Sequence, residues 1–166
     1  MAGQGGMDYN RLEKRMADNI VETTTDKTGA TVLVKLANPI GGSPVIPFYL
    51  RHFSELIDNG HAHPIIVGTN KHKAMYAEID GEVAGHIVYE ILDDPYKTAW
   101  ITFSVIENNF RRRGLYDILH RNFEKTVKAG GSLKIASLVH VDNSVRQASC
   151  AKVGMEPVFY RMEKQL

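Results

Sequence analysis

The sequence predicts a mixed α/β (α+β) domain with a mostly antiparallel central sheet flanked by helices. Three observations carry that expectation. Period-two apolar segments joined by short turns run from Lys73 to Ile106, an amphipathic helical stripe follows over Gly114–Val127, and strand-like and helical segments then alternate to the end. At 166 residues with 43% hydrophobic content the chain can bury one substantial core, so a single domain over 1–166 is expected. Residues 1–6 are small and glycine-rich and read as a cloning remnant ahead of Met7. Residues 7–72 form an N-terminal region and 73–166 the better patterned core.

Taken in order, Asp8–Val21 places Leu12, Met16 and Ile20 four apart, which predicts a short helix. A turn region at Thr23–Gly29 precedes a β-branched strand over Thr31–Leu36. Two adjacent glycines and three prolines make Pro39–Pro47 a loop. Phe48–Ile57 has helical spacing and ends before Asn59-Gly60. From Lys73 the period changes to two. A strand to Ile79, the Asp80-Gly81 turn and a strand over Val83–Leu92 predict a hairpin, and Ala99–Ile106 extends it to a meander after Asp93-Asp94-Pro95. The stripe Leu115, Ile118, Leu119, Phe123, Val127 defines the firmest helix, stopped at Gly130-Gly131. Leu133–Val139 then reads as a strand, Asn143–Val153 as a helix and Val158–Glu163 as a last strand.

Twenty basic against nineteen acidic residues leave a net charge of +1, so no global field draws the chain to nucleic acid or to an anionic membrane. The apolar stretches Thr31–Leu36 and Val45–Leu50 fall far short of the roughly 20 residues of a spanning helix, and Met1–Arg15 holds no signal-peptide run. A soluble, cytoplasmic protein with no membrane partner is expected. The single cysteine, Cys150, cannot form an internal disulfide and is compatible with a reducing compartment.

The chemistry has to be read from a local site, and the turn Arg111-Arg112-Arg113-Gly114 is the best candidate. A strand that feeds a glycine turn and then a helix offers first-turn amides without intrahelical acceptors, at the positive end of the helix dipole. No Gly-Lys-Ser/Thr follows, and only one glycine of a dinucleotide fingerprint is present. The arginines could instead be a nucleic-acid patch, but no stacking aromatics or wider basic surface accompany them in sequence.

The chain at this point resembles the GNAT superfamily of acyl-CoA-dependent N-acyltransferases, whose turn is Arg/Gln-x-x-Gly-x-Gly/Ala with an apolar residue five positions earlier. Here Ile106 precedes Arg111 by five and Gly114 follows it by three. The resemblance implies that Arg111 opens a turn whose amides at Arg112, Arg113, Gly114, Leu115 and Tyr116 cradle the coenzyme A pyrophosphate. It also implies that main-chain groups near Ser104 and Ile106 pair with the pantetheine arm as an added strand. Tyr116 departs from the family's Gly or Ala, so its side chain must point away from the diphosphate. A second block agrees: Asn143 stands eleven residues before Gly154 in Cys150-Ala151-Lys152-Val153-Gly154-Met155, where the family has Asn followed by Tyr-x-Lys-x-Gly-Phe. Asn143 is thereby implied as a cofactor contact, and it is also a natural helix cap. The resemblance extends over Lys73–Leu166.

Direct acyl transfer needs an amine to lose a proton and a leaving thiolate to be stabilised or protonated. The family's tyrosine for the second task is replaced by Cys150, a thiol of ordinary pKa about 8.5 that could donate or could equally be a core cysteine. Tyr116 and Tyr160 are alternatives. Ala99–Val105 holds no carboxylate, which leaves Glu90, Glu107, Asp142 and, foremost, His140 as the base, since an imidazole titrates near neutral pH. His61, His63 and His72 lack a carboxylate or cysteine placed to complete a metal site, and no metal is expected. The implied activity is transfer of an acetyl group from acetyl-CoA, or another acyl group from its acyl-CoA co-substrate, to a primary amine on a small molecule or peptide. A non-catalytic acyl-CoA-binding or interaction protein of the same fold is the alternative. The acceptor would be shaped by residues 39–68, and a homodimer is compatible with all of this.

Overall fold

The computed structural model describes residues 20–58, 60 and 71–158. Among the described residues, six strands and three helices follow one another as β1 (Ile20–Thr25), β2 (Thr31–Ala37), α1 (Val45–Asp58), β3 (Lys73–Ile79), β4 (Glu82–Ile91), β5 (Ala99–Ile106), α2 (Leu115–Ala129), β6 (Ile135–Ser137) and α3 (Ser144–Lys152), with one 3-10 turn at Asn108–Phe110. The strands lie side by side in chain order, antiparallel from β1 to β5, with β6 added parallel to β5. Short connections make antiparallel neighbours, whereas the parallel pair requires the α2 crossover.

Each sheet face carries a helix. On one, α2 turns Leu115, Leu119 and Phe123 onto Val34, Met75, Ile87, Tyr89 and Ile101, and the Tyr89 and Phe123 rings meet edge to face at 4.8 Å. Phe123 is fully buried, which removes enough apolar surface to stabilise the fold by about 2–3 kcal/mol. On the other face α1 sets Val45 and Tyr49 against Ala74, Tyr76, Val88 and Phe103. The stripe read from the sequence, Leu115 through Val127, is buried throughout.

Several element boundaries differ from the sequence reading, each for a local reason. Ile20 and Val21 begin a strand rather than end a helix, because the β-branched run Ile20-Val21-Glu22-Thr23-Thr24-Thr25 pairs with β2 and that pairing outweighs a three-residue stripe. Residues 8–19 of the expected helix lie outside the described residues. The true turn starts at Asp26, whose carboxylate accepts from the Thr28 amide and hydroxyl and from the Ala30 amide. Helix α1 begins at Val45, three residues early, because Pro47 falls within the first turn, where an amide would have no partner in any case. Strand β6 spans only Ile135–Ser137: Leu133 instead donates its amide to Tyr96 O at 2.8 Å, and pairing with β5 stops at Ser137. Of the expected last strand, Val158 is not in a strand and residues 159–163 lie outside the described residues.

A clasp ties the β1–β2 turn to the segment before α2. Arg113 donates Nε–H to Asp26 Oδ2 at 2.5 Å and an Nη2 hydrogen to Thr28 Oγ1 at 3.1 Å, while the Lys27 amide donates to Arg113 O at 3.1 Å. Burial alone would push the Asp26 carboxyl up, but the Thr28, Arg113 and Ala30 hydrogen bonds together hold it at about 2. A carboxyl held below its unfolded value contributes stability that is complete above that value and lost as pH falls toward the folded one. Asp26→Asn is therefore expected to lower the thermal midpoint at neutral pH, with the gap to wild type closing between about pH 4 and pH 2. Thermal melts across that range test it, and a gap that persists unchanged at pH 2 would contradict the clasp.

Candidate active site

The site begins where β5 leaves β6. The two strands share three pairs, Ala99↔Ile135, Trp100↔Ala136 and Ile101↔Ser137, and β5 then continues to Ile106 paired, among the described residues, with β4 alone. At that point Val88↔Phe103 and Tyr89↔Ile101 are successive pairs across β4 and β5, so Thr102 is an extra, bulged residue. The bulge inverts the alternation: Ile101 joins the α2 layer, whereas Phe103 and Val105 join the α1 layer. The buried Thr102 hydroxyl has no hydrogen-bond partner among the described residues.

Backbone directions on the open part of β5 follow from one bond. The Glu107 amide donates to Ala84 O at 3.0 Å, toward β4, so the carbonyl of the same peptide unit, Ile106 O, faces the open side. Arg111 donates Nε–H to it at 3.1 Å. Period two gives Ser104 the same direction as Ile106. The end of β5 also runs close to Gly85, where a Cβ would stand 2.5 Å from Ile106 Cδ1 and 3.0 Å from Val105 O. Only glycine permits that approach.

Beyond β5 the chain turns through two left-handed residues, Arg112 (φ 64°) and Gly114 (φ 84°), into α2. The turn leaves the amides of Arg112, Arg113, Gly114, Leu115, Tyr116 and Asp117 without an acceptor among the described residues, whereas Ile118 already donates to Gly114 O at 3.3 Å. They border a cleft of about 220 Å³ whose walls include Lys27, Ile106, Phe110, Arg112, Ser149 and Lys152. A Cβ on Gly114 would meet Lys27 Cε at 3.2 Å, so the lysine stem lies directly over the turn. Sequence reasoning missed Lys27, which stands 84 residues or more before the turn and enters the cleft only through the Asp26–Arg113 clasp. Asp117 would oppose an anion here, but it pairs with Lys152 at 2.5 Å.

The structure thus gives the three arginines different tasks. Arg113 holds the β1–β2 turn and lies 5.2 Å over the Phe110 ring, Arg111 covers the end of β5, and Arg112 is exposed beside the cleft. Tyr116 reaches across to α3, where its hydroxyl accepts from Arg146 Nη1 at 2.6 Å. Asn143 caps α3 by accepting from the Arg146 amide at 3.0 Å. Cys150 is 7% exposed and packs behind Ser149 and Lys152 rather than lining the cleft. His140 is exposed after β6. Its Nδ1 accepts from the Asp142 amide at 3.2 Å and lies 3.7 Å from Asp142 Oδ2.

A second polar cluster, on the α1 face, was only partly visible in the sequence. Glu107, one of the carboxylates considered as a base, has both oxygens engaged, with His52 Nε2 and Arg51 Nη2 each at 2.7 Å. Glu55 Oε2 lies 2.9 Å from His52 Nδ1. Below them His86 sits in the middle of β4, fully buried, stacked 5.8 Å from Phe103 and 6.5 Å from His52. Neither of its ring nitrogens has a partner among the described residues. Burial, with the nearby His52 and Arg51 charges, lowers it to about 3, so the ring is neutral at physiological pH. Its one sequence signal was a polar residue inside an otherwise apolar strand. Among the other candidates, Glu90 lies 3.9 Å from His72 and Asp142 is largely exposed. His61, His63 and Tyr160 lie outside the described residues, among which no group of three or more metal-ligating side chains gathers.

A sheet that opens beside a helix N-terminus rich in free amides defines the class of acyl-CoA-binding transferase folds, and the sequence profile of the Acetyltransferase (GNAT) family matches residues 42–155. The chain belongs to that family, whose members use acyl-CoA. No curated protein matches it in sequence. Solved structures share the fold at low identity. An aminoglycoside acetyltransferase, HMB0005, from an uncultured soil metagenomic sample aligns with TM-score 0.62 at 16% identity, covering 81% of this chain and 98% of that one. The soil-metagenome aminoglycoside acetyltransferase meta-AAC0020, in complex with sisomicin, gives 0.58 at 14%, covering 81% and 96%. A variant of the BH1408 protein of Bacillus halodurans gives 0.66 at 14%, covering 80% and 98%.

His86 generates a pH prediction. Its folded value lies below the unfolded one, so its contribution is complete above about pH 6.5 and lost progressively as pH falls toward 3, at up to about 1.4 kcal/mol per unit. Urea titrations between pH 7 and pH 4 should show that slope, and His86→Leu should flatten it. Equal slopes in the two proteins would mean that the ring charges at no cost in the folded state.

Proposed function

We propose that the protein transfers an acetyl group from acetyl-CoA to a primary amine by direct attack, with no covalent enzyme intermediate. The observation that carries this reading is the row of unpartnered amides from Arg112 to Asp117 at the mouth of the β5–β6 opening. Six N–H donors with Lys27 and Arg112 beside them fit a diphosphate in number and charge. The outward groups of Ser104 and Ile106 fit the amides of a pantetheine arm laid along β5. Acetyl-CoA supplies the activated thioester when bound.

This chain's residues then do four things. The turn grips the diphosphate, the β5 edge aligns the arm, and the parting at Thr102 leaves room for the thioester between strands. The α1 side, with residues 39–58, forms the acceptor wall. The attacking amine loses its proton to water or to His140. The Nδ1 lone pair of that imidazole already accepts from the Asp142 amide, which favours water as the first acceptor. Several solved relatives are aminoglycoside acetyltransferases by name, which supports a polyamine-like small molecule as the first acceptor to test. We read the whole chain as one domain working in the cytoplasm, with Asn143 contacting the arm while it caps α3.

A non-catalytic acyl-CoA-binding protein is the other reading, favoured by the burial of Cys150 and by the engagement of both Glu107 oxygens. Calorimetry with acetyl-CoA and a turnover assay over an amine panel separate the two. Binding with turnover is expected, and binding without turnover would favour the alternative. Gly114→Glu, which forces a side chain into a left-handed turn and sets a carboxylate among the diphosphate donors, should weaken acetyl-CoA binding at least 100-fold, about 2.7 kcal/mol. An unchanged affinity would remove the diphosphate from this turn.

A further inference from the structure

The turn between β1 and β2 stands over the start of α2, although both β1 and the turn precede residue 42, where the family match begins. The cation it carries is therefore an addition of this chain to the matched pattern. Its own bonds make the turn rigid. The Asp26 amide donates to Ala30 O at 3.0 Å, the Gly29 amide donates to Asp26 O at 3.1 Å, and the Asp26 carboxylate accepts from the Thr28 and Ala30 amides. Two more bonds dock it on the segment before α2, from Lys27 N–H to Arg113 O and from Arg113 Nε–H to Asp26 Oδ2. Lys27 thus has a fixed backbone beside Gly114, and its stem passes that glycine with Cε, Cγ and Cδ at 3.2, 3.4 and 3.6 Å from the place a Cβ would occupy.

Lys27 is exposed, and its ammonium pairs with no carboxylate among the described residues. The neighbouring charges are already paired, Arg113 with Asp26 and Lys152 with Asp117. Lys27 and Arg112 therefore border the same cleft as the open amides of the α2 turn, and the one carboxylate among its described lining residues, Asp117, is neutralised. Cations and aligned N–H dipoles on shared walls repel one another until an anion enters. Many lysines lay the stem along a surface and leave the head in water. Here the backbone beneath the stem is anchored, which lowers the ordering cost of meeting a ligand.

We propose that Lys27 is the side-chain counter-ion of the coenzyme A diphosphate, delivered by the β1–β2 turn, with Asp26 as its positioning residue. The inference rests on the acyl-CoA reading above and adds a second element to the site: α2 offers amides, and the β1–β2 turn offers charge. Asp26 titrates at about 2, so the clasp that seats the lysine is intact at neutral pH. An ammonium on a flexible stem meets a phosphate as a point charge and needs no planar alignment.

Calorimetry on the full-length protein tests this with coenzyme A and with dephospho-coenzyme A, which keeps the diphosphate and lacks the 3′-phosphate. Lys27→Met keeps a comparable stem and removes the charge. It should weaken both ligands by the same factor, about tenfold or about 1.4 kcal/mol, while the thermal midpoint without ligand stays within about 2 °C of wild type. Lys27→Arg should bind within about threefold of wild type, and added salt should narrow the gap between wild type and Lys27→Met, since screening acts on the charge. Asp26→Asn should reduce affinity in the wild-type background and do so less in the Lys27→Met background, a coupling that a general loss of stability would not produce. Equal reductions in the two backgrounds would remove Asp26 from its positioning role. A Lys27→Met protein that binds both ligands like wild type, or loses affinity for coenzyme A alone, overturns the proposal and leaves the acyl-CoA reading standing. A wild type that binds neither ligand overturns both.

Discussion

From Thr102 to Ile106, strand β5 has a neighbour on one side only among the described residues, and everything proposed for the site depends on that asymmetry. An unpaired strand edge inside a sheet is ordinarily a defect, because each exposed N–H and C=O has to find water or another partner. Here the bulge at Thr102 turns β5 away from β6 at the last shared pair, and Gly85 lets its far end press against β4. One edge of the strand is consumed by β4 and the other is held open. A ligand with amide groups along its length can satisfy such an edge, and one with a diphosphate at its end can also satisfy the helix start.

The turn after β5 solves a related problem with charge. Three consecutive cations would repel one another and draw in counterions, yet two of them are engaged within the protein. Arg113 is neutralised by Asp26, and Arg111 covers the last outward carbonyl of β5. Two of the three arginines thus also hold the local backbone in place. The binding capacity rests with the peptide amides, whose positions are fixed by left-handed Arg112 and Gly114. The clasp explains why Lys27, remote in sequence, belongs to the site. The same contact that seats Arg113 carries the β1–β2 turn over Gly114.

The meander, α2 and the amide-rich turn were legible in the sequence because each is governed by local rules: period-two alternation, a helical stripe and a glycine before it. What escaped was non-local. The strand at Ile20–Thr25 depends on pairing with β2, and the shortness of β6 depends on where β5 diverges from it. The bulge at Thr102 cannot be told from a regular strand in an apolar run where both faces are buried. His52 and His86 were hidden for the same reason, since a histidine inside an apolar helix or strand gives no sign of what it packs against. Glu107 was found as a carboxylate near a strand end, but the Arg51 and His52 contacts that engage it come from a helix more than 50 residues away.

Two of the positions at which the chain departs from the family pattern, Tyr116 and Cys150, stand on α2 and α3, which the Tyr116–Arg146 bond joins. A bulky ring stands on α2 where the pattern has a small residue, and a small thiol stands on α3 where it has a ring. Interiors packed near crystal density tolerate paired changes that conserve volume far better than either change alone. An enlarged residue at 116 has to move into space that α3 gives up, and the Arg146 bond shows it pointing there. The phenol on α2 thus meets α3 at Arg146.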